Sequence, residues 1–329
     1  MSQVDVSVKA HREFNINFQD LLELTNTCFQ TKNYLNNFPQ VFKEAYKEFL
    51  FLLKKNKETV SFCTLYPLSF ILNSNLRISA YCIGSVCTHP SFRNQGLALQ
   101  TIQLAEKKAK ENHADFLLLF ADNNQLYAKM GFNSIGKTYL APLSKSLENK
   151  NYYQNYLNLS NNIKSHNTKN SIVFKSFCEL ENLSEDIKAK IWRFIVLNSQ
   201  QSESILSYLE FKDILKIKNM LLYTAEINNN IVATSFLNKG DDFINVIHAN
   251  YFTEKKYILN LIYNIFIINN EKDLIFFPGS FHNLFKDLFS YINLPLMSIK
   301  SLNEKKFPIK SLNNLCSNDC FFVNSLQGT

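Results

Sequence analysis

The sequence predicts an α/β (α+β) protein whose core is a mixed, mostly antiparallel, twisted sheet flanked by helices. Three successive runs rich in β-forming residues precede a segment with helical spacing of apolar residues, which is typical of an antiparallel meander that a helix then covers. The same order of patterns recurs in weaker form after residue 170. A tandem duplication explains the recurrence, although α/β domains also alternate in this way without one.

Length and composition agree with two domains. The chain has 329 residues, of which 46% are hydrophobic and 14% aromatic, so two cores of ordinary size are expected. The charged fraction of 19% and the low glycine and proline counts argue against a fibrous or disordered chain. The net charge of +7 has no long basic run behind it. We interpret it as a solvated surface and expect no nucleic-acid partner.

The cysteines favour reduced thiols. There are seven of them, an odd number without the spacing of a disulfide framework. Cys316 and Cys320 have no second His or Cys pair at metal-site spacing, so no metal is expected. Residues 1–11 lack an apolar signal core, and residues 257–268 are too short an apolar stretch to cross a bilayer. These features together predict a cytoplasmic protein without a membrane partner.

Residue spacing predicts the elements of each half. In the first half the strands are expected at 4–9, 49–53, 60–65, 78–88 and 116–120, and the helices at 18–29, 41–49, from 96 onward, and at 124–130. In the second half the strands are expected at 221–227, 231–238, 243–250 and 274–277, and the helices at 186–198, 205–219, 254–269 and after Pro278-Gly279. Glycine at 131 is expected to cap the short helix before it.

The composition changes abruptly between the halves. Eight of the thirty residues from 141 to 170 are asparagine, and their hydrophobic periodicity is poor. Such a segment is typical of a domain boundary. We therefore expect domains at residues 1–145 and 171–329, joined by an asparagine-rich linker at 146–170.

The strongest local signal is the run Arg93-Asn94-Gln95-Gly96-Leu97-Ala98, which connects the predicted strand ending near Thr88-His89-Pro90 to a helix. A strand that turns through a glycine into a helix start presents unpaired backbone N–H groups, and the helix dipole adds partial positive charge. Four of the seven glycines lie between residues 84 and 136, where backbone geometry demands them. The pattern predicts a site for a phosphate or pyrophosphate.

This segment resembles the acetyl-CoA-binding motif of the GNAT superfamily of N-acetyltransferases, which is Arg or Gln, two residues, Gly, one residue, then Gly or Ala. A second element, Tyr127-Ala128-Lys129-Met130-Gly131-Phe132, is similar to the Tyr-x-x-x-Gly-Phe signature of the same family. The resemblance covers roughly residues 1–140 and is specific from 85 to 132. It implies a GNAT fold and an acetyl-CoA-dependent N-acetyltransferase (EC 2.3.1.-) that acts on an amine of a small molecule, peptide or protein.

The resemblance also implies roles for individual residues. Tyr127 corresponds to the general acid that protonates the departing thiolate, since a phenol with a pKa of about 10 is protonated at neutral pH. The backbone of residues 93–98 would hold the pyrophosphate, with Gly96 allowing close approach where a side chain would collide. The strand before the loop would splay from its neighbour and pair with the pantetheine arm. The residues implied for CoA binding are Val86, Cys87, Thr88, Arg93, Asn94, Gln95, Gly96, Leu97, Ala98, Asn124 and Tyr127.

Other assignments stay open. Residues 78–88 contain no Asp or Glu, so no general base is assigned, and a water relay or solvent is expected to take the proton. Residues 251–256 contain no glycine and no Arg-x-x-Gly pattern, so the second half is expected to be a degenerate GNAT-like domain that shapes the acceptor site or stiffens the first domain. The alternative to an enzyme is a non-catalytic acyl-CoA-binding or interaction module with this fold. The amine acceptor is undetermined, and a homodimer is left open.

Overall fold

The structure is a computed structural model. It describes residues 16–72, 76–121, 125–135, 138–144, 171–200, 203–241, 243–270, 273–294, 297–308, 323 and 326–327. The predicted strand at 4–9, the predicted linker at 146–170 and both Cys316 and Cys320 lie outside these residues.

The strands and helices of the described residues are numbered in chain order. The strands are β1 Leu50–Lys55, β2 Glu58–Leu72, β3 Leu76–Thr88, β4 Phe116–Phe120, β5 Asn133–Ser134, β6 Thr138–Pro142, β7 Val173–Phe177, β8 Leu221–Ile227, β9 Asn230–Lys239, β10 Phe243–Phe252, β11 Ile275–Phe276, β12 Ile292–Leu294 and β13 Met297–Ser301. The α-helices are α1 Phe18–Phe29, α2 Leu97–Glu111, α3 Gln125–Ala128, α4 Glu185–Asn198, α5 Tyr208–Ile214, α6 Lys255–Ile268 and α7 His282–Phe285. None of these helices is long and apolar enough to cross a membrane.

The chain divides into two compact units. The first comprises Met1–Gly136, Pro295–Phe321 and Gly328–Thr329, and the second Lys137–Leu294 and Phe322–Gln327. The first unit contains a six-stranded sheet in the order β1-β2-β3-β4-β13-β5. Strands β1 to β3 form the predicted antiparallel meander, β4 pairs in parallel with β3, and β13 pairs antiparallel with β4 and β5.

The second unit repeats this topology. Its seven-stranded sheet has the order β12-β6-β11-β10-β9-β8-β7. Strands β7 to β10 are antiparallel neighbours, β11 pairs in parallel with β10, and β6 pairs antiparallel with β11 and β12. The predicted mixed, mostly antiparallel sheet is therefore confirmed, and it occurs twice.

The two halves of the sequence exchange one strand each. Strand β13, from late in the chain, lies between β4 and β5 of the first sheet, and β6, from the first half, lies between β11 and β12 of the second. The compact units thus differ from the sequential division into 1–145, 146–170 and 171–329. Residues 138–144 lie in the second unit and residues 297–308 in the first. Spacing of apolar residues reports only local structure, so it carries no sign of this long-range pairing.

Side chains reinforce the place of the late segment in the first unit. Lys300 forms an ion pair with Glu106 of α2 at 2.8 Å. Lys306 forms one at 3.1 Å with the buried carboxylate of Asp115, which also accepts a hydrogen bond from the Ser79 backbone N–H at 3.1 Å. The ring of Phe307 packs 4.7 Å from that of Phe116. The start of β4 is therefore tied both to β3 and to residues that follow β13.

Local patterns predicted most elements well and two helices poorly. Helix α1 and strands β4 and β8 have the predicted bounds. The predicted helix at 41–49 is instead a 3-10 turn at Glu44–Phe49, and the predicted helix at 205–219 is shortened to α5. A capping box at Ser207 and Glu210 fixes the start of α5 three residues into the predicted range. Strands β5, β6, β7, β12 and β13 were not predicted.

The second unit buries an acidic side chain, Glu203. Tyr251 donates a hydrogen bond to its Oε1 at 3.4 Å. Burial raises the pKa of the Glu203 carboxyl to about 7, and the hydrogen bonds that it accepts offset only part of this effect. The folded protein therefore keeps the Glu203 proton at pH values where the unfolded chain has lost it.

We expect residues 1–135 joined by a flexible linker to residues 297–308 to fold, and residues 1–145 alone not to fold. The first chain contains β13, which covers the edge of β4, whereas the second leaves that buried, apolar strand without its neighbour. Cooperative urea unfolding followed by circular dichroism distinguishes the two. Cooperative unfolding of residues 1–145 with equal stability would contradict the strand exchange.

We expect Glu203→Gln to remove a pH dependence of stability. Because the folded-state pKa of about 7 lies above the ordinary 4.5, the wild-type free energy of unfolding falls as pH rises through this window. The variant has no such proton to lose, so by pH 8 it gains roughly 3 kcal/mol relative to the wild type compared with pH 4. Urea titrations of both proteins at several pH values measure this. Parallel profiles for the two proteins would show that Glu203 is not buried as described.

Candidate active site

Strand β3 carries a β-bulge near its end. Gly84 pairs with Thr64 and Cys87 with Phe62, so two residues of β3 face one residue of β2. The first of the two, Ser85, has a left-handed backbone with φ of 53°. The buried hydroxyl of Tyr34 donates a hydrogen bond to Ser85 Oγ at 3.0 Å. A bulge of this kind bends the strand and re-aims the residues that follow it.

Strand β3 then separates from β4. The last pair between these two parallel strands is Ile83 with Leu119, and β3 continues for five residues to Thr88. On its other side β3 stays paired with β2 as far as Thr88. The register therefore leaves a gap between β3 and β4 beyond Ile83, as the family resemblance implied.

The backbone groups along this gap alternate in direction. The carbonyl of Cys87 accepts a hydrogen bond from the Ser61 hydroxyl of β2 at 3.2 Å, and the N–H of His89 donates to a carbonyl of the same strand at 2.9 Å. Because successive residues of a strand direct their backbone groups to opposite edges, those of Val86 and Thr88 face the gap.

A short turn connects β3 to the glycine loop. Residues Pro90–Phe92 form one 3-10 turn, and His89 Nδ1 accepts a hydrogen bond from the Ser91 N–H at 3.3 Å. His89 therefore caps the turn. Arg93 Nε donates to the carbonyl of Thr88 at 3.3 Å, so the arginine side chain folds back along the end of β3.

Two left-handed residues bring the chain into α2. Asn94 has φ of 63° and Gly96 has φ of 74°, and Gly96 is the N-cap of α2. A Cβ built on Gly96 would meet no protein atom within 4 Å. The glycine is thus required by its backbone angle, and a side chain there would extend into open space where the first-turn N–H groups of α2 are exposed. The expected collision is one with a bound ligand, not with the protein.

Buried hydroxyl groups join the elements around the loop. Ser61 Oγ shares hydrogen bonds with the hydroxyls of Thr88 at 3.1 Å and Thr101 at 2.9 Å. Thr101 in turn donates to the carbonyl of Leu97, the first residue of α2, at 2.8 Å. One serine on β2 therefore connects the end of β3 to the first turn of α2.

A cavity of about 480 Å³ lies between the loop and α3. Its lining consists of Val86, Cys87, Thr88, Phe92, Arg93, Asn94, Gly96, Leu97, Ala98, Leu99, Leu126, Tyr127, Lys129 and Met130. Nine of the eleven residues predicted to bind CoA are in this set. Gln95 is exposed and does not line the cavity, and Asn124 lies outside the described residues. The charged lining residues, Arg93 and Lys129, are both cationic.

Tyr127 of α3 also lines the cavity. Its ring meets that of the buried Phe132 edge to face at 6.2 Å, and its carbonyl accepts the Phe132 N–H at 3.1 Å. Gly131, with φ of 85°, supplies the left-handed residue that ends this short helical segment. Burial raises the pKa of the Tyr127 phenol, and the neighbouring Cys63 thiol adds to the effect. The phenol is therefore a neutral hydrogen-bond donor over the whole physiological range.

The second unit repeats the bulge of β3. His248 of β10 pairs with Phe236 and Tyr251 with Thr234, so two residues again face one. The first of these two, Ala249, has φ of 49°. The last parallel pair with β11 is Ile247 with Phe276, and β10 continues for five residues to Phe252. From its last parallel pair to its end, β10 has the same arrangement as β3, although β10 carries a further irregularity between Phe243 and Ile247.

The loop after β10 is shorter. Thr253 donates its N–H to the carbonyl of Val232 at 3.0 Å, as His89 does to Val60 at 2.9 Å. Helix α2 begins eight residues after His89, whereas α6 begins two residues after Thr253. The N-cap of α6 is Glu254, an anionic residue. At this place the second unit thus has no loop as long as the one that carries Gly96 in the first unit.

Side chains also make contacts near the end of β10. Asn250 Nδ2 donates to the carbonyl of Phe277 at 2.8 Å and so bridges β10 to the residue after β11. The ring of Phe281 packs 4.7 Å from Phe252 and 6.4 Å from Tyr251. The end of β10 is therefore bonded to the residue after β11 and packed against Phe281.

Sequence reasoning missed part of the site. Ser61 and Thr101 stand among apolar residues with no pattern to separate them from ordinary strand and helix positions. Lys129 could have been predicted as a lining residue, because it lies inside the Tyr-x-x-x-Gly-Phe element. No group of three or more His, Cys, Asp or Glu side chains in the described part of the chain could hold a metal ion.

Several solved structures with this fold carry the names of acyltransferases. A GCN5-related N-acetyltransferase from Kribbella flavida aligns with a TM-score of 0.58 at 10% identity over 87% of this chain and 69% of that chain. An Enterococcus faecalis protein described as a probable N-acyltransferase aligns with a TM-score of 0.57 at 10% identity over 88% of this chain and 71% of that chain. Saccharomyces cerevisiae N-myristoyltransferase, solved with bound myristoyl-CoA, aligns with a TM-score of 0.56 at 13% identity over 90% of this chain and 82% of that chain. At these identities the likeness shows the fold. No curated protein matches the sequence.

A separate comparison bears on the family. Residues 15–135 match the family model described as acetyltransferase (GNAT) domain, which confirms the predicted resemblance for this part of the chain. Family and fold together support acyl-CoA-dependent N-acyltransferase activity.

We expect Ser61→Ala to destabilise the protein by about 1–3 kcal/mol, because it removes the buried hydroxyl that bonds to the Thr88 hydroxyl, the Thr101 hydroxyl and the Cys87 carbonyl. Urea unfolding measures the loss. The half-buried Ser69 of the same strand supplies the control variant Ser69→Ala, for which a change within about 0.5 kcal/mol is expected. Equal effects of the two substitutions would contradict the role given to Ser61.

Proposed function

We propose that the protein transfers an acetyl group from acetyl-CoA to the amine of a small molecule, peptide or protein, with the first unit as the catalytic domain. The observation that carries this proposal is the cavity whose lining includes the end of β3 beyond its last pair with β4, the Gly96 turn and Tyr127. In this arrangement the cofactor's anionic and thioester ends meet different groups of the chain.

The loop wall fits a pyrophosphate. The first turn of α2 directs unpaired N–H groups toward the open space at Gly96, and the helix dipole favours an anion there. Arg93 and Lys129 add two positive charges to the lining. The diphosphate of CoA would lie against residues 93–98.

The gap beside β3 fits an extended polar chain. Backbone groups of Val86 and Thr88 face the gap, and a pantetheine arm carries two amides that pair with such groups as a neighbouring strand would. This pairing would aim the thioester toward the bulge at Ser85 and bring its sulfur near Tyr127.

Tyr127 acts as the general acid. Its phenol stays protonated because burial raises its pKa, so it is able to donate a hydrogen bond to the sulfur as negative charge develops there. The acceptor amine attacks as a neutral nucleophile. None of the described residues that line the cavity is a carboxylate, so the amine proton passes to water.

The second unit binds no acyl-CoA. Three observations support this: the shortened loop before α6, the anionic N-cap Glu254, and the bridge from Asn250 to Phe277. An acidic side chain at the helix start opposes a phosphate where the first unit attracts one. One CoA per chain is the consequence.

We expect Gly96→Ala to weaken CoA binding by at least about tenfold, because the added Cβ extends into the open space where the pyrophosphate would lie. Isothermal titration with CoA measures the affinity, and the wild-type isotherm is expected to show one site per chain.

The matched control for this prediction is Gly279→Ala. Gly279 also has a positive φ, 58°, and open surroundings, but it lies in the second unit. The two variants therefore carry the same kind of backbone strain, and only the first is expected to lose affinity. Equal losses in both, or a two-site isotherm, would contradict the proposed site.

We expect Tyr127→Phe to lower kcat on the order of 100-fold while the Kd for CoA changes less than about threefold, since the lost hydroxyl acts on the leaving thiolate. Release of CoA in the presence of a panel of amines, peptides and acyl donors measures turnover. Tyr81→Phe removes a hydroxyl bonded to Asn112 and is the control. Full turnover in Tyr127→Phe would exclude the general acid, and CoA binding without turnover on any amine would favour the non-catalytic alternative.

A further inference from the structure

The two faces of the first sheet carry different side chains beside the gap. Cys63 of β2 faces α2, since its thiol donates to the carbonyl of Thr101 at 3.6 Å. Its neighbour Phe62 therefore faces the other side, where the ring of Phe42 lies 6.1 Å away. Cys87 is paired with Phe62 in the sheet and shares that side. We call this side, which carries Phe62 and Cys87, the far face.

The cavity takes its lining from both faces. Val86 and Tyr127 pack against the core cluster that α2 covers, whereas Cys87 belongs to the far face. All three residues line the cavity. An extended ligand that enters the gap from the side of Tyr127 therefore emerges on the far face.

Tyr34 lies on the far face beside the gap. Its hydroxyl donates to Oγ of Ser85, the bulge residue that directly precedes the lining segment of β3, at 3.0 Å. The side chain is buried, with 6% of the residue exposed, and its ring stacks on that of Phe29 with 4.2 Å between centroids. The rings of Phe38 and Phe42 lie 5.1 and 6.1 Å away. The hydrogen bond and the neighbouring rings together fix the position of the Tyr34 ring.

The second unit forms its bulge without such a bond. Ala249, at the corresponding position of β10, has φ of 49° and no hydroxyl, and the same register follows it. A bulge of this kind thus forms without a side-chain hydrogen bond. The additional consequence of the bond in the first unit is a fixed aromatic ring beside the gap.

We propose that Tyr34 limits the length of the acyl group, so that the protein binds acetyl-CoA and discriminates against hexanoyl-CoA and longer thioesters. The proposal rests on the proposed function, in which the thioester is directed toward the bulge at Ser85. An acetyl group adds a single methyl beyond the thioester carbonyl, and this fits in front of the ring. A hexanoyl group is four methylenes longer and meets the ring.

The discrimination follows from packing on the far face. A longer chain must displace a side chain that is held by a hydrogen bond and by three other rings, and overpacking of such a region is unfavourable. Removal of the Tyr34 ring opens apolar space at the same place. Burial of two of the four additional methylenes there corresponds to about a tenfold gain in affinity.

The test measures the affinity of the full-length protein for CoA, acetyl-CoA and hexanoyl-CoA by isothermal titration. Wild type is expected to bind hexanoyl-CoA at least about tenfold more weakly than acetyl-CoA. In Tyr34→Ala the affinity for hexanoyl-CoA is expected to rise about tenfold relative to wild type, while that for CoA changes less than about threefold. Tyr34→Leu removes the ring with less loss of packing and serves as the second variant if the alanine variant does not fold. Urea unfolding of each variant checks this.

Tyr81→Ala is the matched control. Tyr81 lies on the same strand and is similarly buried, at 8% exposed, and its hydroxyl accepts a hydrogen bond from Asn112 at 2.8 Å. It belongs to the cluster that α2 covers and not to the far face. This variant therefore loses a comparable ring and a comparable bond, and the ratio of its affinities for the two thioesters is expected to match that of wild type. Tyr34→Phe keeps the ring and is expected to keep the discrimination.

Three results would overturn the proposal. They are equal binding of both thioesters by wild type, undiminished discrimination in Tyr34→Ala and Tyr34→Leu, and the same relaxation in Tyr81→Ala, which would indicate a general loosening of the unit. If wild type binds no CoA, the proposed function itself fails. Normal CoA binding with no effect of the Tyr34 substitutions leaves that function intact and removes only the role of Tyr34.

Discussion

The bulge at Ser85 and Val86 is the constraint on which the rest of the first unit depends. A left-handed backbone at a serine costs roughly 1–2 kcal/mol, and the hydrogen bond from Tyr34 together with the pairing on either side holds it in place. The bulge comes two residues after the last pair with β4. It therefore determines where backbone groups become available and in which direction β3 delivers the chain to the glycine loop. Cavity, loop and helix start all follow from this one irregularity in a strand.

The second unit shows which parts of this arrangement are separable. Ala249 repeats the left-handed residue and β10 repeats the register, yet the following loop is shorter and Asn250 bridges the gap. A strand bulge thus persists as part of the sheet, since it sets the twist and the pairing, whether or not a site is built on it. The loop is the part to which we assign the binding of the ligand. The second unit, in which this loop is shorter, keeps the same sheet topology, and Asn250 bridges the end of β10 to the residue after β11.

The sequence predicted what is local and missed what is tertiary. Helix α1 and strand β4 were predicted to the residue because their apolar spacing is regular and uninterrupted, and the Gly96 turn because glycine, strand end and helix start adjoin each other. The expected helix at 41–49 became a 3-10 turn, since its apolar residues do not bury one continuous helical face. The pairing of β13 with β4 joins residues that are far apart in the sequence, and no spacing rule reports such pairing. The structure also gives a second reason for a glycine at position 96. The sequence suggested that a ligand approaches the backbone closely there, and the structure shows a positive φ beside open space.

The exchange of β6 and β13 also bears on the order in which the protein is made. Domains generally fold as units while the chain is synthesised from its N-terminus. Here the sheet that carries the cavity lacks its fifth strand in spatial order until residue 301 has been added. The second sheet takes β6 from a segment that is already present and is complete once β12 is made. The first sheet, although it begins first, is therefore the later of the two sheets to receive all its strands, and the edge of β4 stays without its neighbour while residues 121–296 are made.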